Sequence, residues 1–250
     1  MSNDSPNTAC VLIIGNEILS GKTQDTNLGF LGSELAQRGV RLAEARVLPD
    51  DKAEIISTLN ECRAKYTYVI TTGGIGPTHD DITAECIAAA FNRPLVLDED
   101  AVTCLSRSGR ELNPARLKMA HVPEGASLID NSLSNAPGFR VENVFVLAGV
   151  PSVARVMFST FADDLGVGGS IHSRSVDVFL PEGDIAQPLE GLALKHPAIE
   201  IGSYPFFRDG CYGANLVVRG MDESVVEKVI ELVVTTMINL GDESSVGEPS

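Results

Sequence analysis

Short apolar runs alternate with segments of helical periodicity from residue 9 to about residue 161. The apolar runs predict buried strands at Cys10–Ile14, Leu42–Leu48, Tyr66–Thr72 and Val144–Leu147. Apolar residues three or four positions apart predict helices at Asn27–Arg38, Asp51–Ala64, Ile82–Phe91 and Pro151–Phe161, with shorter helices near 99–107 and 114–120. This alternation predicts an α/β fold in three layers, in which helices cover both faces of a mainly parallel sheet.

The pattern changes after the glycine-rich stretch Leu165–Ser170. The residues beyond this stretch predict a β-α-β-β-α order at Ser175–Leu180, Asp184–His196, Ile199–Ser203, Leu216–Arg219 and Glu223–Leu240. We therefore expect two domains, a first one over 9–168 and a small α+β domain over 171–240. The polar, aperiodic ends, 1–8 and 241–250, are expected to be disordered.

The chain is acidic, with 19 Lys and Arg against 34 Asp and Glu, for a net charge of −15. Such a surface repels nucleic acid and anionic membranes, so neither is an expected partner. No apolar stretch has the length of a signal peptide core or a membrane span, and the five cysteines include no CxxC pair, which predicts a cytoplasmic protein with reduced thiols. The same charge opposes phosphate ligands unless backbone N–H groups or a metal ion overcome it.

Three loops follow predicted strands, at the sheet edge where α/β proteins bind ligands. The first, Gly15–Asn27, carries Glu17, and the third combines Asn131–Phe139 with Leu147–Pro151. The second, Thr71–Glu85, carries two kinds of candidate residue. Its glycines allow a close approach of the backbone to an anion at a helix N-terminus: Gly73, Gly74 and Gly76.

Three carboxylates follow those glycines, at Asp80, Asp81 and Glu85. Asp81 alone is explained equally well as a helix N-cap. Three carboxylates beside a glycine turn are better explained by a hard divalent cation, since Mg²⁺ takes one or two carboxylates together with substrate phosphates. The residues therefore favour a phosphate or metal site, with helix capping as the alternative.

The three loops resemble blocks of a known family. The segment TTGGIGPTHDDITAE resembles TTGGLGPTxDDxTxE of the CinA amino-terminal domain and, more loosely, TTGGTGxxxRDxTxE of the molybdopterin-binding MoaB/MogA proteins. GNEILSGKTQDTNLGFL resembles the first block, and NPARLKMAHVPEGASLIDNSLSNAPGF with VFVLAGVP resembles the third. The second predicted domain, with IGSYP, resembles short stand-alone members and the equivalent region of eukaryotic FAD synthase.

The resemblance implies a molybdopterin-binding-like domain and a divalent-metal-dependent pyrophosphatase for ADP-ribose, FAD or a similar compound, using Mg, Mn or Co. It implies catalytic roles for Asp81 and Asp80. The residues implied to bind substrate are Gly73, Gly74, Gly76, Thr83, Asn27 and Gly138. The residues implied to bind metal are Asp80, Asp81, Glu85 and Glu17. The third block departs from the family pattern at Ser134-Asn135 and at Ser152-Val153, where a glutamate is missing, so substrate choice is the least defined property.

Two other functions stay open. The first is a non-catalytic protein that binds a small nucleotide or pterin. The second is an adenylyl transferase of molybdenum-cofactor biosynthesis. The transferase is less favoured because Asp80 stands where MoaB/MogA proteins have an Arg that can pair with a phosphate. Homo-oligomers are a further expectation, whereas the length leaves no room for the deamidase or FAD-forming domains of longer relatives.

Overall fold

The computed structural model describes residues 7–165, 172–208, 210–241 and 246–249. The chain divides into two compact units, Met1–Gly168 and Gly169–Ser250. Each unit has hydrophobic core clusters of its own. The two units are therefore described separately.

The first unit contains eight strands and seven helices in its described part. The strands are β1 (Thr8–Ile14), β2 (Arg41–Leu48), β3 (Tyr68–Thr72), β4 (Leu95–Leu97), β5 (His121–Pro123), β6 (Ser127–Ile129), β7 (Gly138–Val141) and β8 (Val144–Leu147). The helices are α1 (Asn16–Leu19), α2 (Asn27–Gln37), α3 (Lys52–Lys65), α4 (Thr83–Ala90), α5 (Glu99–Ser106), α6 (Pro114–Lys118) and α7 (Pro151–Phe161), and a 3-10 turn, Ala162–Asp164, follows α7.

Six of these strands form one sheet in the order β2-β1-β3-β8-β7-β6. The first four are parallel, and β7 runs antiparallel to both of its neighbours. Strands β4 and β5 form a separate antiparallel pair. The predicted fold class, a mainly parallel sheet in an α/β domain, is confirmed.

Strand β1 lies between β2 and β3 and is buried from Ala9 to Ile14. Its side chains alternate between two core clusters, so that Leu12 packs with Leu59 and Ile87 on one face while Ile13 packs with Leu31 on the other. A continuous apolar run is expected for a strand that is covered on both faces. This packing fixes the carboxyl end of β1 inside the sheet, beside the end of β3.

Five elements of the first unit are not predicted by the sequence pattern: α1, β4, β5, β6 and β7. Each is only three or four residues long, which is too short to show a periodicity of 2 or 3.6. Strand β7 also begins at a glycine, and glycine is disfavoured in strands. A Cβ on Gly138 would collide with the carbonyl oxygen of Val146, so packing against β8 requires glycine there.

The second unit has the predicted order β-α-β-β-α: β9 (His172–Val178), α8 (Glu182–Lys195), β10 (Glu200–Arg208), β11 (Cys211–Gly220) and α9 (Glu223–Leu240). The strands form an antiparallel sheet in the order β10-β11-β9. Its described core is aliphatic, with Met237 and residues such as Val176, Leu216 and Val229. Strands β10 and β11 extend well beyond the predicted Ile199–Ser203 and Leu216–Arg219.

All five aromatic residues of the second unit lie outside its described core cluster. Two ring pairs form among them, Phe179 with Phe206 at 5.5 Å and Phe207 with Tyr212 at 4.7 Å between centroids. Tyr204 is 48% exposed and Tyr212 is 79% exposed. Four of the five aromatic side chains of this unit are therefore exposed, and Phe206 is partly buried.

Two parts of the terminal segments predicted to be disordered are held by the sheets. Thr8 belongs to β1, and its N–H donates to Thr67 Oγ1 at 3.2 Å. Val246 forms a β-bridge with Val178, and the N–H of Gly247 donates to the carbonyl oxygen of Asp177 at 2.8 Å. Backbone pairing, which polar composition does not reveal, orders these positions. The rest of the predicted tails at 1–6, 242–245 and 250 lies outside the described residues.

All five cysteines are free thiols, and Cys10, Cys62 and Cys86 are buried. Burial raises the pKa of the Cys86 thiol to about 11, so this group stays protonated and unreactive at neutral pH. Across the residues that the structure describes, no helix combines the length and apolar character needed to cross a bilayer.

Candidate functional site

The backbone after β3 turns in a conformation that requires glycine. We call residues 73–82 the glycine loop. Gly73 and Gly74 have φ of +100° and +67°, in the region that L side chains rarely adopt. A Cβ on Gly73 would collide with the carbonyl oxygen of Ile14 at the end of β1, and one on Gly74 would collide with Thr83 Oγ1. The two glycines let the loop pass directly over the strand ends.

Thr83 fastens this loop to the start of α4. Its Oγ1 donates to the carbonyl oxygen of Gly73 at 3.0 Å, and its N–H donates to the carbonyl oxygen of Gly74 at 2.9 Å. The side chain is fully buried and its only hydroxyl hydrogen is used. The geometry thus gives Thr83 a structural role in the loop rather than the substrate contact implied by the sequence resemblance.

Two carboxylates converge on the hydroxyl of Thr78. Asp81 Oδ2 accepts from the Thr78 N–H at 2.8 Å and also contacts Thr78 Oγ1, while Asp80 Oδ1 lies 2.5 Å from the same oxygen. A hydroxyl has one hydrogen, so it can donate fully to only one of them. The Thr78 hydrogen bond holds the pKa of Asp80 below its usual value.

Asp81 does not cap α4. The N-cap residue is Ile82, and no side chain accepts a hydrogen bond at that position. Instead the Asp81 carboxylate folds back over the loop, where a Cβ on Gly76 would lie only 2.7 Å from Asp81 Oδ2. The capping alternative is therefore wrong for Asp81, and a Cβ at position 76 would displace its carboxylate.

Two clefts open on either side of the glycine loop. The first cleft has a volume of about 310 Å³ and lies between the loop, α4 and the segment from α6 to β5. Its walls have apolar side chains at seven positions and polar or charged side chains at four. The apolar residues are Ile75, Ala84, Leu95, Pro114, Met119, Pro137 and Phe139. The other four are Asp81, Glu85, Lys118 and His121.

The second cleft, about 490 Å³, lies at the carboxyl ends of the parallel strands. It is bounded by Glu17 after β1, by the glycine loop after β3, and by residues 148–151 after β8. The third predicted loop contributes Asn131, Ser134 and Ala136. The predicted meeting of three loops at one sheet edge is thus observed. Both clefts share Gly74, Ile75, Gly76, Asp81 and Met119.

The four carboxylates predicted to bind metal are distributed around the loop. Asp81 lines both clefts, Glu85 lines the first, and Glu17 lines the second, whereas Asp80 is held at Thr78. No group of three or more His, Cys, Asp or Glu side chains able to hold a metal ion occurs among the residues described. The predicted set of four ligands is therefore not assembled as one cluster.

Two residues implied to bind substrate have other tasks in the geometry. Asn27 is buried at the start of α2, and its Nδ2 donates to the carbonyl oxygen of Gly149 at 2.8 Å, which positions a wall of the second cleft. Gly138 is buried in β7 and lines neither cleft, although Pro137 and Phe139 beside it line the first. Both residues support the site without facing it.

Sequence reasoning missed Lys118 and His121, both of which line the first cleft. Lys118 Nζ donates to the carbonyl oxygen of Thr78, so it ties α6 to the glycine loop. His121 Nδ1 lies 3.0 Å from the carbonyl oxygen of Leu117. The segment NPARLKMAH predicts a short helix and belongs to the third block of the resemblance, but neither signal places it beside the glycine loop, because that position depends on the fold around β4 and β5.

Family models match both units of the chain. A model described as a probable molybdopterin binding domain matches residues 10–166. The chain belongs to this family. A second model, described as the FAD synthase middle domain, matches residues 170–239. The glycine loop and both clefts therefore lie within the molybdopterin-binding-type unit.

Named relatives include longer proteins. A CinA-like protein from Desulfosudis oleivorans is 34% identical over 207 residues, which cover 77% of this chain and 50% of that protein. A probable FAD synthase from Caenorhabditis elegans is 32% identical over 251 residues, which cover 89% of this chain and 48% of that protein. The chain thus spans about half the length of both. The resemblance to the CinA family and to FAD synthase is confirmed.

A solved structure has the same fold as the first unit. The crystal structure of CinA from Thermoplasma acidophilum, a protein described as having unknown function, superposes with a TM-score of 0.60 at 34% sequence identity. The match covers 63% of this chain and 98% of that one. This likeness extends the family assignment from sequence to architecture.

Proposed function

We propose that the chain is a divalent-metal-dependent nucleotide pyrophosphatase that acts on ADP-ribose, FAD or a similar pyrophosphate. The observation that carries this proposal is the position of Asp81. Its carboxylate lies beside the glycine loop and lines both clefts. A ligand with two halves, one in each cleft, has its bridging pyrophosphate next to Asp81.

The residues around this junction suit a bridging pyrophosphate. Gly74 and Gly76 both line the first cleft, and the backbone N–H groups of a glycine turn are common partners of phosphate oxygens. Lys118 supplies a positive charge in the first cleft, and its bond to Thr78 holds that charge near the loop. These groups offset part of the net charge of −15 at the site itself.

The carboxylates fit a cation that is bound jointly with substrate. Asp80 and Asp81 both lie within hydrogen-bond distance of the Thr78 hydroxyl, so the loop holds two negative charges close together. Mg²⁺ is commonly held by one or two carboxylates together with substrate phosphates, for which three clustered protein ligands are unnecessary. Asp81 with Asp80 would hold the cation, with Glu85 or Glu17 within the adjoining cleft walls.

A bound divalent cation supplies positive charge for the pyrophosphate oxygens and lowers the pKa of water. The chain's own groups supply position: the glycine loop holds one phosphate, and Asp81 orients the reacting centre between the clefts. Water adds to one phosphorus, and the bridging oxygen leaves with the other half. ADP-ribose then gives AMP and ribose 5-phosphate.

The test is the substitution Asp81→Asn, which keeps the size of the side chain and removes its charge. We expect hydrolysis of ADP-ribose or FAD, with Mg²⁺, Mn²⁺ or Co²⁺ present, to fall at least about 100-fold, since both phosphate positioning and cation binding are weakened. Chromatography of the products measures this. The matched control is Asp163→Asn, which removes an exposed carboxylate that lines neither cleft.

An unchanged rate of hydrolysis in Asp81→Asn, or an equal loss in Asp81→Asn and Asp163→Asn, contradicts the proposal.

The second candidate function is binding of a nucleotide or pterin without turnover. It is favoured by the lack of a preassembled group of three metal ligands in the described part of the chain. Tight binding of ADP-ribose with no product after prolonged incubation with each metal would select this candidate.

A further inference from the structure

The first cleft has the size and walls of a pocket for one flat ring system. Ligand pockets of drug-sized molecules range from about 300 to 1,000 Å³ and are mostly apolar. This cleft, at about 310 Å³, lies at the small end of that range, too small for a whole dinucleotide. Ile75, Leu95, Met119 and Phe139 provide the apolar and sulfur contacts that heteroaromatic rings favour.

His121 lines this cleft and has one ring nitrogen that can accept a hydrogen bond. Its Nδ1 lies 3.0 Å from the carbonyl oxygen of Leu117, and a carbonyl only accepts, so Nδ1 carries the hydrogen. In the neutral imidazole, Nε2 is then the acceptor. Within the described residues, Nε2 has no hydrogen-bond partner of its own.

The other polar groups of the cleft are also mostly acceptors. Asp81 and Glu85 are carboxylates, whereas Lys118, the single ammonium among the lining residues, donates one of its three hydrogens to the carbonyl oxygen of Thr78. Acceptors that face a cleft are satisfied by a ligand that brings N–H groups. The cleft therefore suits a ring with an exocyclic amine more than one with a carbonyl oxygen at the same place.

We infer that the first cleft binds an amine-bearing heteroaromatic ring and that His121 is the specificity-determining residue that accepts a hydrogen bond from its amine. This rests on the proposed function, because it assigns one half of the two-part ligand to a cleft. The same chemistry is presented by adenine and by a pterin. The phosphate-bearing remainder extends past Asp81 toward the second cleft.

The test measures equilibrium binding of matched ligand pairs to the full chain by calorimetry, without turnover. The first pair is AMP and purine riboside 5′-monophosphate, which lacks the amine. The second is 6-hydroxymethylpterin and the matching lumazine, which has a carbonyl oxygen in place of the amine. In at least one pair, we expect the wild type to bind the amine-bearing ligand with about fivefold higher affinity, which corresponds to one neutral hydrogen bond.

The substitution His121→Phe keeps a flat ring and removes the acceptor, so it is expected to abolish the preference. His121→Gln restores an acceptor and is expected to recover part of it, and circular dichroism checks that both variants fold. His196→Phe, at the end of α8 in the second unit, is the control and keeps the full preference. The pair that responds identifies the ring as adenine or a pterin.

Equal preference in wild type and His121→Phe overturns the inference, as does an absence of any amine preference or of binding in the wild type. The proposed function fails separately. If the binding preference depends on His121 but no pyrophosphate is hydrolysed, the ring site stands and the enzymatic assignment falls. If Asp81→Asn abolishes hydrolysis while His121→Phe leaves the binding preference unchanged, the proposed enzymatic function stands and the assignment of His121 falls.

Discussion

At the scale of single residues, the glycine loop depends on the absence of individual Cβ atoms. Gly73 and Gly21 both have positive φ, +100° and +70°, but their surroundings differ. A Cβ on Gly73 would meet the backbone of β1, whereas one on Gly21 has nothing within 4 Å. Alanine substitutions at these two glycines therefore separate the free-energy cost of backbone strain from that of a steric collision.

Gly73→Ala is expected to lower the free energy of unfolding by about 3 kcal/mol, combining positive-φ strain with overpacking against an immobile carbonyl. Gly21→Ala is expected to cost about 1 kcal/mol, from strain alone. Urea denaturation of both variants measures the difference. Equal losses would mean that the loop relaxes away from β1 at little cost.

The sequence predicted the carboxylate and glycine positions of this loop but not their partners. The glycines that precede Asp80 and Asp81 form a local motif, which can be recognised from the sequence alone. That Asp81 turns back to Thr78 instead of capping α4 depends on backbone angles that no residue type dictates. His121 lies 40 residues from Asp81 in sequence, so its place in the first cleft follows only from the fold.

At the scale of elements, a charged network joins β2 to α3. Arg46 on β2 pairs with Glu44 at 2.5 Å and with Glu61 of α3 at 2.7 Å, and Lys65 of α3 pairs with Glu44 at 3.0 Å. The hydroxyl of Tyr66 also donates to Glu44. These three partners lower the pKa of Glu44 to about 2. The hydrogen bond from Tyr66 has the largest effect, followed by those from Arg46 and Lys65.

Tyr66→Phe is expected to raise the pKa of Glu44 above 2 but to leave it below 4.5, because Arg46 and Lys65 remain. A depressed folded-state pKa stabilises the protein fully above about pH 4.5, and this stability is lost as the pH falls toward 2. The Tyr66→Phe variant therefore loses less stability than the wild type between about pH 4.5 and pH 2. NMR titration of the Glu44 carboxyl measures the shift, with Tyr204→Phe as control, and an unmoved titration would contradict the assigned cause.

Long elements were predictable and short ones were not. Strand β8, α7 and α9 have the predicted bounds because each presents a full period of buried side chains. The three-residue strands β4, β5 and β6 are held in place by pairing partners that lie elsewhere in the chain. In the second unit, the exposed ends of β10 and β11 carry no apolar alternation, and the pairing between these two strands, from Glu200 to Arg219, extends them.

At the scale of the whole molecule, each unit has its own buried cluster. The described part of the first unit is organised around Leu12, Leu59 and Phe145, and that of the second around Val176, Val229 and Met237. A unit with a complete core of its own is expected to fold by itself. Residues 1–168 should then carry the glycine loop and both clefts in a folded form.

We expect the isolated segment 1–168 to unfold in one cooperative transition by calorimetry and to retain the binding properties of the first cleft. A segment that ends at Val141 is the control, because it lacks β8, which lies between β3 and β7 in the sheet. That shorter segment is not expected to unfold cooperatively. Absence of a transition in 1–168 would show that its core is insufficient without the rest of the chain.

The surface location of the aromatic residues in the second unit has an optical consequence. The chain has no tryptophan, so its intrinsic fluorescence comes from four tyrosines, of which Tyr66 and Tyr68 belong to the first unit. Tyr66 is 8% exposed, whereas Tyr204 and Tyr212 already face water in the folded state. Loss of structure in the first unit therefore changes tyrosine emission far more than loss in the second. The molecule carries an unlabelled reporter for the unit that holds the candidate site.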